Sequence, residues 1–304
     1  MVRYLFGRLG MAALVALTVS IISFALVYMS GDPAVAIAGE HATVDVVAQI
    51  RAQYGYDRPL PVQYLDWLAS ALRGDFGISP YFKVPVADLI VERLQVTMTL
   101  GLLAITFAML IGVPMGVIAA MKPNSLIDRV ALFIAVVGQA IPSFWFGLLL
   151  IVFFAVNLGW LPASGVASWQ GYVLPTIVLG YYATPAIMRL TRAGMIEVLS
   201  SDYIRTARAK GVAPSKILFK HALRNAVIPV VSLAAVQMGF MLGGSIVTES
   251  VFALHGAGYL AWQSISRNDL PTMQALILIF SLFYIFFTFL SDVLNAWLDP
   301  RLRG

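Results

Sequence analysis

The chain contains no cysteine. Disulfides, thiolate metal sites and cysteine nucleophiles are therefore excluded. Histidine is almost as scarce. His41, His221 and His255 lie far apart and show no ligand spacing, so no metal site and no bound cofactor is expected. Charge is scarce too: 12% of the residues are charged and 60% are hydrophobic, where a soluble domain carries about 25% charged residues. With 304 residues and a mean hydropathy of +0.85, the composition points to an all-α integral membrane protein with several spans.

Charges mark the limits of the spans. Arg3 and Arg8 precede an uncharged run that is too long for a signal-peptide core, so Leu9–Met29 is read as an uncleaved first helix. Leu94–Met121 is the second span, bounded by Arg93 and Lys122. The uncharged stretch from Val130 to Met188 exceeds any single span. Gly159, Pro162, Gly165 and Gly171 break it near Asn157–Tyr172. Trp160, Trp169 and Tyr172 flank that break, as at a membrane surface. This predicts a third span over Val130–Val156 and a short fourth over Val173–Leu190. The fifth runs over Ala226–Val247 and the sixth over Thr272–Ser291.

Six spans place both termini on one side. That side collects Arg3, Arg8, Lys122, Arg129, Arg189, Arg192, the basic residues of 205–224, Arg301 and Arg303, whereas acids outnumber bases on the other. The excess of Lys and Arg marks the cytoplasmic side, so cytoplasmic termini are expected. Three units follow: 1–31, an N-terminal segment with the first span; 32–93, an extracytoplasmic loop; and 94–304, the remaining five spans with a cytoplasmic loop at 189–225. The outer loop reads as ordered. Val44–Tyr54 is apolar at helical spacing, Asp57-Arg58-Pro59 resembles a helix start, and 61–73 carries Val62, Leu65, Leu68, Ala69 and Leu72 on one face. A cap lying on the membrane and a surface for an external partner both account for it.

The span cores hold no Asp, Glu, Lys, Arg or His. A proton-coupled carrier needs a titratable group at depth, and its absence argues that energy enters from elsewhere. Gln139, Ser143 and Gln237 are candidates for lining a pathway; an interhelical hydrogen bond is the simpler explanation of each. Gly112 and Gly116, like Gly239 and Gly243, sit one turn apart and predict close helix packing. Pro114, Pro142, Pro175 and Pro185 are expected to kink or end helices.

The most informative segment is Asp202 to Pro229, DYIRTARAKGVAPSKILFKHALRNAVIP. It is strongly basic and follows a helix–turn–helix pattern. Asp202 is read as the cap of a helix reaching Arg208 or Lys210, Gly211 as the turn, and Ser215 as the cap of a second helix over 216–225. An amphipathic hairpin on anionic headgroups would have this composition. So would a docking knob for a cytoplasmic protein.

The segment resembles the coupling element of permease subunits in binding-protein-dependent ABC importers, of the dipeptide, oligopeptide and nickel branch. The wider family pattern is Glu-Ala-Ala, three residues, then Gly; here it reads Arg205-Thr206-Ala207, three residues, then Gly211. Arg224 stands where the wider pattern has Pro. The "ARAKG…HALRNA" wording is that of the peptide branch. Further matches lie at Gly31-Asp32-Pro33, Gly55 to Leu60, Gly74 to Ser79, Thr248 to Phe252, Gly256 to Leu260, Arg267 to Pro271 and Asp299-Pro300-Arg301. His255 stands where Pro is usual. The short loop Leu158–Tyr172 is similar to that of glutathione-importer permeases.

The resemblance implies a type I importer transmembrane domain in a bacterial inner membrane, working by alternating access. It implies a second permease, two cytoplasmic ATPases and an extracytoplasmic binding protein as partners, and no nucleic acid. Substrates of the branch are di- and oligopeptides or glutathione, with nickel and opine-like solutes as alternatives. The chain has no G-x-x-x-x-G-K-[ST] loop, so ATP and Mg are expected on partner subunits and the chain is not expected to be an enzyme. Tyr203, Arg205, Ala207, Arg208, Lys210, Gly211, Lys216 and Arg224 become the ATPase-docking candidates, with Ala207 and Gly211 allowing close backbone approach. A self-contained secondary carrier and a membrane scaffold with a lipid-binding loop are the rival classes.

Overall fold

The structure, a computed structural model, describes residues 2–29, 31–39 and 42–298. His41 and the Asp299-Pro300-Arg301 motif lie outside them. The described residues form helices α1 (Val2–Met29), α2 (Pro33–Ala38), α3 (Val44–Tyr54), α4 (Leu60–Leu72), α5 (Val86–Met121), α6 (Leu126–Ala140), α7 (Ser143–Leu150), α8 (Val173–Leu199), α9 (Asp202–Ala209), α10 (Pro214–Lys216), α11 (Arg224–Ala226), α12 (Ile228–Val251), α13 (Ala257–Ser266) and α14 (Leu270–Leu298). Wide π-type turns continue α7 over Ile151–Asn157 and join α10 to α11 over Ile217–Leu223.

Helices α5 and α8 form the centre, and glycine sets their distance. A Cβ on Gly116 would stand 2.6 Å from the Met188 carbonyl oxygen, and one on Gly180 would stand 2.6 Å from that of Ala104. Gly112 faces Thr184 and Ile187 in the same way. Backbones can approach this closely only without side chains between them. Around this seam, Leu100, Ala104, Ala108, Val178, Ala183 and Ile187 are buried together with Phe252 and Leu254. The second glycine pair splits: Gly239 packs on Tyr284, whereas nothing lies near Gly243. Gly243 sits on an exposed face of α12.

Among the described residues five helices are long and apolar enough to cross a membrane: α1, α5, α8 with its preceding turn, α12 and α14. The stretch expected to hold the third span is built from two helices. Val130–Val156 is not one helix but α6 and the apolar run Ser143–Asn157, separated at Ile141. Ile141 is extended, with ψ of 125°, because the ring of Pro142 disfavours a helical conformation in the residue before it. Pro114 and Pro185, by contrast, stay within α5 and α8. Helix α5 begins at Val86, earlier than the Leu94 expected from its charges. Its 36 residues extend about 54 Å at 1.5 Å each, well beyond a hydrocarbon core of about 30 Å. Helices α8, α12 and α14 also overrun their expected ends.

The 32–93 segment is ordered. Helices α3 and α4 lie where the periodicity predicts, and Pro59 and Pro61 start α4. Phe24 on α1 meets Tyr64 and Trp67 on α4 at ring distances of 5.5 and 5.9 Å, and Ser20 hydrogen-bonds Tyr64 at 2.8 Å. Ser23 donates to the Gln274 carbonyl at 3.1 Å, which ties α1 to α14.

Candidate functional site

The basic segment folds as a compact helical hairpin. Helix α9 ends in a glycine turn: Gly211 has φ of 72°, its N–H reaches the Arg208 carbonyl at 3.0 Å, and the Val212 N–H reaches that of Ala207 at 3.1 Å. This paired closure satisfies the last carbonyls and requires a left-handed residue, which glycine provides at least cost. Two expected caps shift. Ser201, not Asp202, occupies the N-cap of α9, and Ala213, not Ser215, precedes α10. Pro214 opens α10 with φ fixed for a helix, so the chain turns inward before Ser215 is reached.

Ile204, Ile217, Ala222 and Ala226 are buried and anchor the hairpin to the bundle. A polar staple joins its arms. Asn225 Nδ2 donates to the Tyr203 hydroxyl at 2.9 Å and to the His221 carbonyl at 3.2 Å, and Tyr203 itself donates to that carbonyl at 3.4 Å. Arg205, Arg208, Lys210, Lys216 and Arg224 are all exposed, as are Gly211 and Tyr203, while Ala207 is half-buried. Arg205 pairs only locally, with Asp202 at 3.2 Å. The staple thus ties together two arms that both carry exposed cations. A cavity of about 630 Å³, lined by Tyr203, Lys220, His221, Arg224 and Trp297 among others, opens beside it.

One residue on this surface escaped the sequence reading. Phe219 is 62% exposed between the cations. Within the π-type turn Ile217 and Ala222 are buried and Leu218 and Leu223 half-buried, whereas Phe219 faces outward. Aromatic side chains are enriched at protein interfaces, so an exposed ring on this hairpin marks a candidate contact point.

A second missed constellation lies at the other end of α12. The helix runs past Val247 to Val251, which brings Glu249 into its last turn, fully buried. Its carboxylate accepts from the Thr97 hydroxyl at 2.7 Å and from the Tyr259 N–H at 2.8 Å. Thr97 in turn accepts from the Ala257 N–H at 2.8 Å. Together they satisfy the otherwise orphaned amides at the start of α13. Gly256 and Gly258 are part of the same fit, since a Cβ at Gly256 would stand 2.5 Å from a Glu249 oxygen. The Thr248–Phe252 and Gly256–Leu260 motifs thus meet in space, and His255 forms a turn in which Arg93 donates to its carbonyl at 3.2 Å.

Gln139 is exposed at the end of α6, Ser143 opens α7 beyond the Ile141 break, and Gln237 is half-buried on α12. They do not converge on one another. The structure contains no side-chain hydrogen bond from any of the three among the described residues.

Two family patterns match the chain. The binding-protein-dependent transport system inner membrane component matches residues 112–304, and the N-terminal pattern of binding-protein-dependent transport system membrane components matches residues 1–101. Among curated proteins, the glutathione transport system permease protein GsiC of Escherichia coli K12 is 44% identical over 304 residues, covering 100% of this chain and 99% of that protein. GsiC of Shigella flexneri serotype 5b is 43% identical over the same span, with the same coverage. Among solved structures, the inward-facing MetNI methionine ABC transporter aligns with a TM-score of 0.57 at 21% identity, over 69% of this chain and 96% of that one. An amino acid ABC transporter with histidines aligns with a TM-score of 0.53 at 18% identity, over 69% and 94%. At such identities the structures speak to fold alone.

Proposed function

Because the chain belongs to the family of binding-protein-dependent transport inner membrane components, a multi-pass membrane permease with the type I importer fold, we propose that it is one of two permeases forming the translocation path of an ATP-driven importer for glutathione or other short peptides. The observation that carries the substrate class is similarity to a glutathione permease over the full length of both chains. The proposed topology has six spans, with α6 and α7 together making the third, and cytoplasmic termini. Its units are 1–31, 32–93 and 94–304. The chain is non-catalytic. ATP and Mg reside on two partner ATPases, and an extracytoplasmic binding protein delivers the solute.

Work enters through the stapled hairpin. Arg205, Arg208, Lys210, Lys216 and Arg224 offer charged donors to the ATPase groove, Tyr203 holds the two arms in register, and Ala207 and Gly211 leave room for close backbone approach. The hairpin packs under α5 and α8 through Val117, Met195, Ala222 and Ala226, so its displacement is delivered to the glycine seam. Among the described residues the side chains of Gln139, Ser143 and Gln237 have no hydrogen-bond partner, which supports a lining role for them.

Affinity purification of this chain from native membranes, with an ATPase assay and mass spectrometry, tests the assembly. A second permease, ATPase subunits and ATP-driven uptake of labelled glutathione are expected, and both ATPase recovery and uptake disappear in Gly211→Arg. Gly211→Ala shares the backbone strain of a left-handed non-glycine residue without the bulk, and retains ATPase recovery. Undiminished uptake in Gly211→Arg would overturn the docking role. Uptake by the isolated chain, driven by an ion gradient, would overturn the importer reading.

A further inference from the structure

A second cavity, of about 480 Å³, lies between α1, α4, the 75–83 loop and the start of α14. Its volume falls within the range of about 300–1,000 Å³ typical of small-molecule sites. Hydrogen bonds on every side hold it open. Tyr28 on α1 donates to Gln63 on α4, and Gln63 donates to the carbonyls of Arg58 at 2.6 Å and Tyr56 at 3.3 Å. Ser79 donates to Asp269, which caps the start of α14 through the Thr272 N–H at 3.3 Å. The walls are therefore fixed by cross-links between elements that are distant in sequence.

The lining combines three chemistries. Phe24, Tyr28 and Trp67 provide aromatic surface. Lys83 provides a cation and Asp75 an anion. Gln274 provides a donor in need of an acceptor: the residue is 8% exposed, and its Nε2 has no hydrogen-bond partner among the described residues. A buried amide left without a partner costs about 1–3 kcal/mol; Nε2 itself is shielded, and a turn of the Gln274 carboxamide toward the cavity lets an arriving acceptor remove that cost.

We propose that this cavity is a binding site for a short peptide with a free carboxylate, whose acidic end accepts from Gln274 and Lys83 and whose apolar side chain lies against Phe24, Tyr28 and Trp67. The proposal rests on the peptide-importer reading and adds to it a site on the 32–93 segment, outside the translocation path. Opposite charges on one lining suit a zwitterion better than a simple anion. A phospholipid headgroup shares that chemistry, but most of the lining comes from residues 54–83 and not from spanning helices.

The test is equilibrium dialysis of labelled Phe-Ala against the purified permease–ATPase complex without its binding protein. Saturable binding is expected. It weakens about tenfold in Lys83→Ala and for Phe-Ala amide, the effect of losing one charge-assisted hydrogen bond. Gln274→Leu lowers it similarly. Lys83 is exposed, so its variant keeps the fold even if Gln274→Leu does not. ATP-driven uptake with the binding protein present, measured on the same preparations, reports the importer function separately. Binding of Phe-Ala that ignores Lys83→Ala and the amide would overturn the site, as would phospholipid retained by wild type and lost from Lys83→Ala in native mass spectrometry.

Discussion

Arg192 on α8 grips Asp128 on α6 with two parallel hydrogen bonds, Nε to Oδ1 and Nη2 to Oδ2, each 2.6 Å long. Asp128 is 1% exposed and also accepts the Asn124 N–H at 2.8 Å. The pair fixes the α5–α6 turn to the helix that leads directly into the basic hairpin. Removing the arginine leaves a buried carboxylate uncompensated, which costs about 3 kcal/mol in well-buried pairs. Arg192→Leu should therefore lower the thermal unfolding midpoint of the purified permease in detergent by several degrees. An unchanged midpoint would mean that the ion pair does not hold these helices together.

The same pair carries a pH dependence. The Arg192 guanidinium, against the opposing effect of burial, holds the Asp128 carboxyl below its ordinary value. A depressed folded value means that the stabilisation is complete above the unfolded value of about 3.9 and is lost as pH falls through the lower folded one. Wild type should keep its stability down to about pH 4 and lose it below, whereas Arg192→Leu should lack that acid-side loss because it has no pair to break. Unfolding midpoints measured from pH 7 to pH 3 on both proteins would check this.

Glycine at the α5–α8 seam makes a paired prediction. Gly116→Val puts a branched side chain where a single Cβ already stands 2.6 Å from the Met188 carbonyl. Backbone cannot yield as a side-chain tip can, so loss of folded protein on size-exclusion chromatography is expected. Gly243→Ala meets nothing within 4 Å and should elute as wild type. Equal behaviour of the two variants would remove the close-packing account of the seam.

Glu249→Ala tests the buried cluster at the far end of α12. It leaves the Thr97 hydroxyl and the Tyr259 N–H without their shared acceptor, at about 1–3 kcal/mol for each buried group left unsatisfied. Glu249→Gln keeps the shape and one acceptor oxygen and should lose less. The two unfolding midpoints, ranked wild type, Gln, Ala, would support a structural cap; equal midpoints with altered transport would assign the carboxylate to the transport cycle.

These residues also show where sequence reasoning reaches its limit. The apolar runs were readable because spans are set by local composition, and the close packing of Gly112 and Gly116 was readable from their one-turn spacing, although the same spacing at Gly239 and Gly243 leaves Gly243 without a neighbour. Pro142 was expected to kink or end a helix and does so at the Ile141 break, whereas Pro114 and Pro185, read in the same way, ride within α5 and α8. Glu249 looked like a loop residue because charge was used to end the span, and its partner Thr97 lies 152 positions away. The cavity near Gln274 was likewise beyond reach, since its walls come from α1, the 32–93 segment and α14 and only folding brings them together.

Phe219 offers the sharpest separation of docking from folding. It is 62% exposed, whereas the anchors beneath it, Ile217 and Ala222, are buried. Removing its ring should leave the hairpin and the bundle intact, so Phe219→Ala is expected to unfold at the wild-type temperature. If the hairpin seats in an ATPase groove, that ring becomes a buried apolar anchor, and truncating such a residue commonly costs about 2 kcal/mol or more of binding. Recovery of the ATPase with the permease should fall by at least roughly tenfold at limiting concentration. The surrounding cations act through long-range attraction, so Arg208→Ala should weaken association mainly at low salt. A Phe219→Ala permease that retains its ATPase fully would shift the contact to the charged face around Gly211 and leave the aromatic ring facing lipid headgroups.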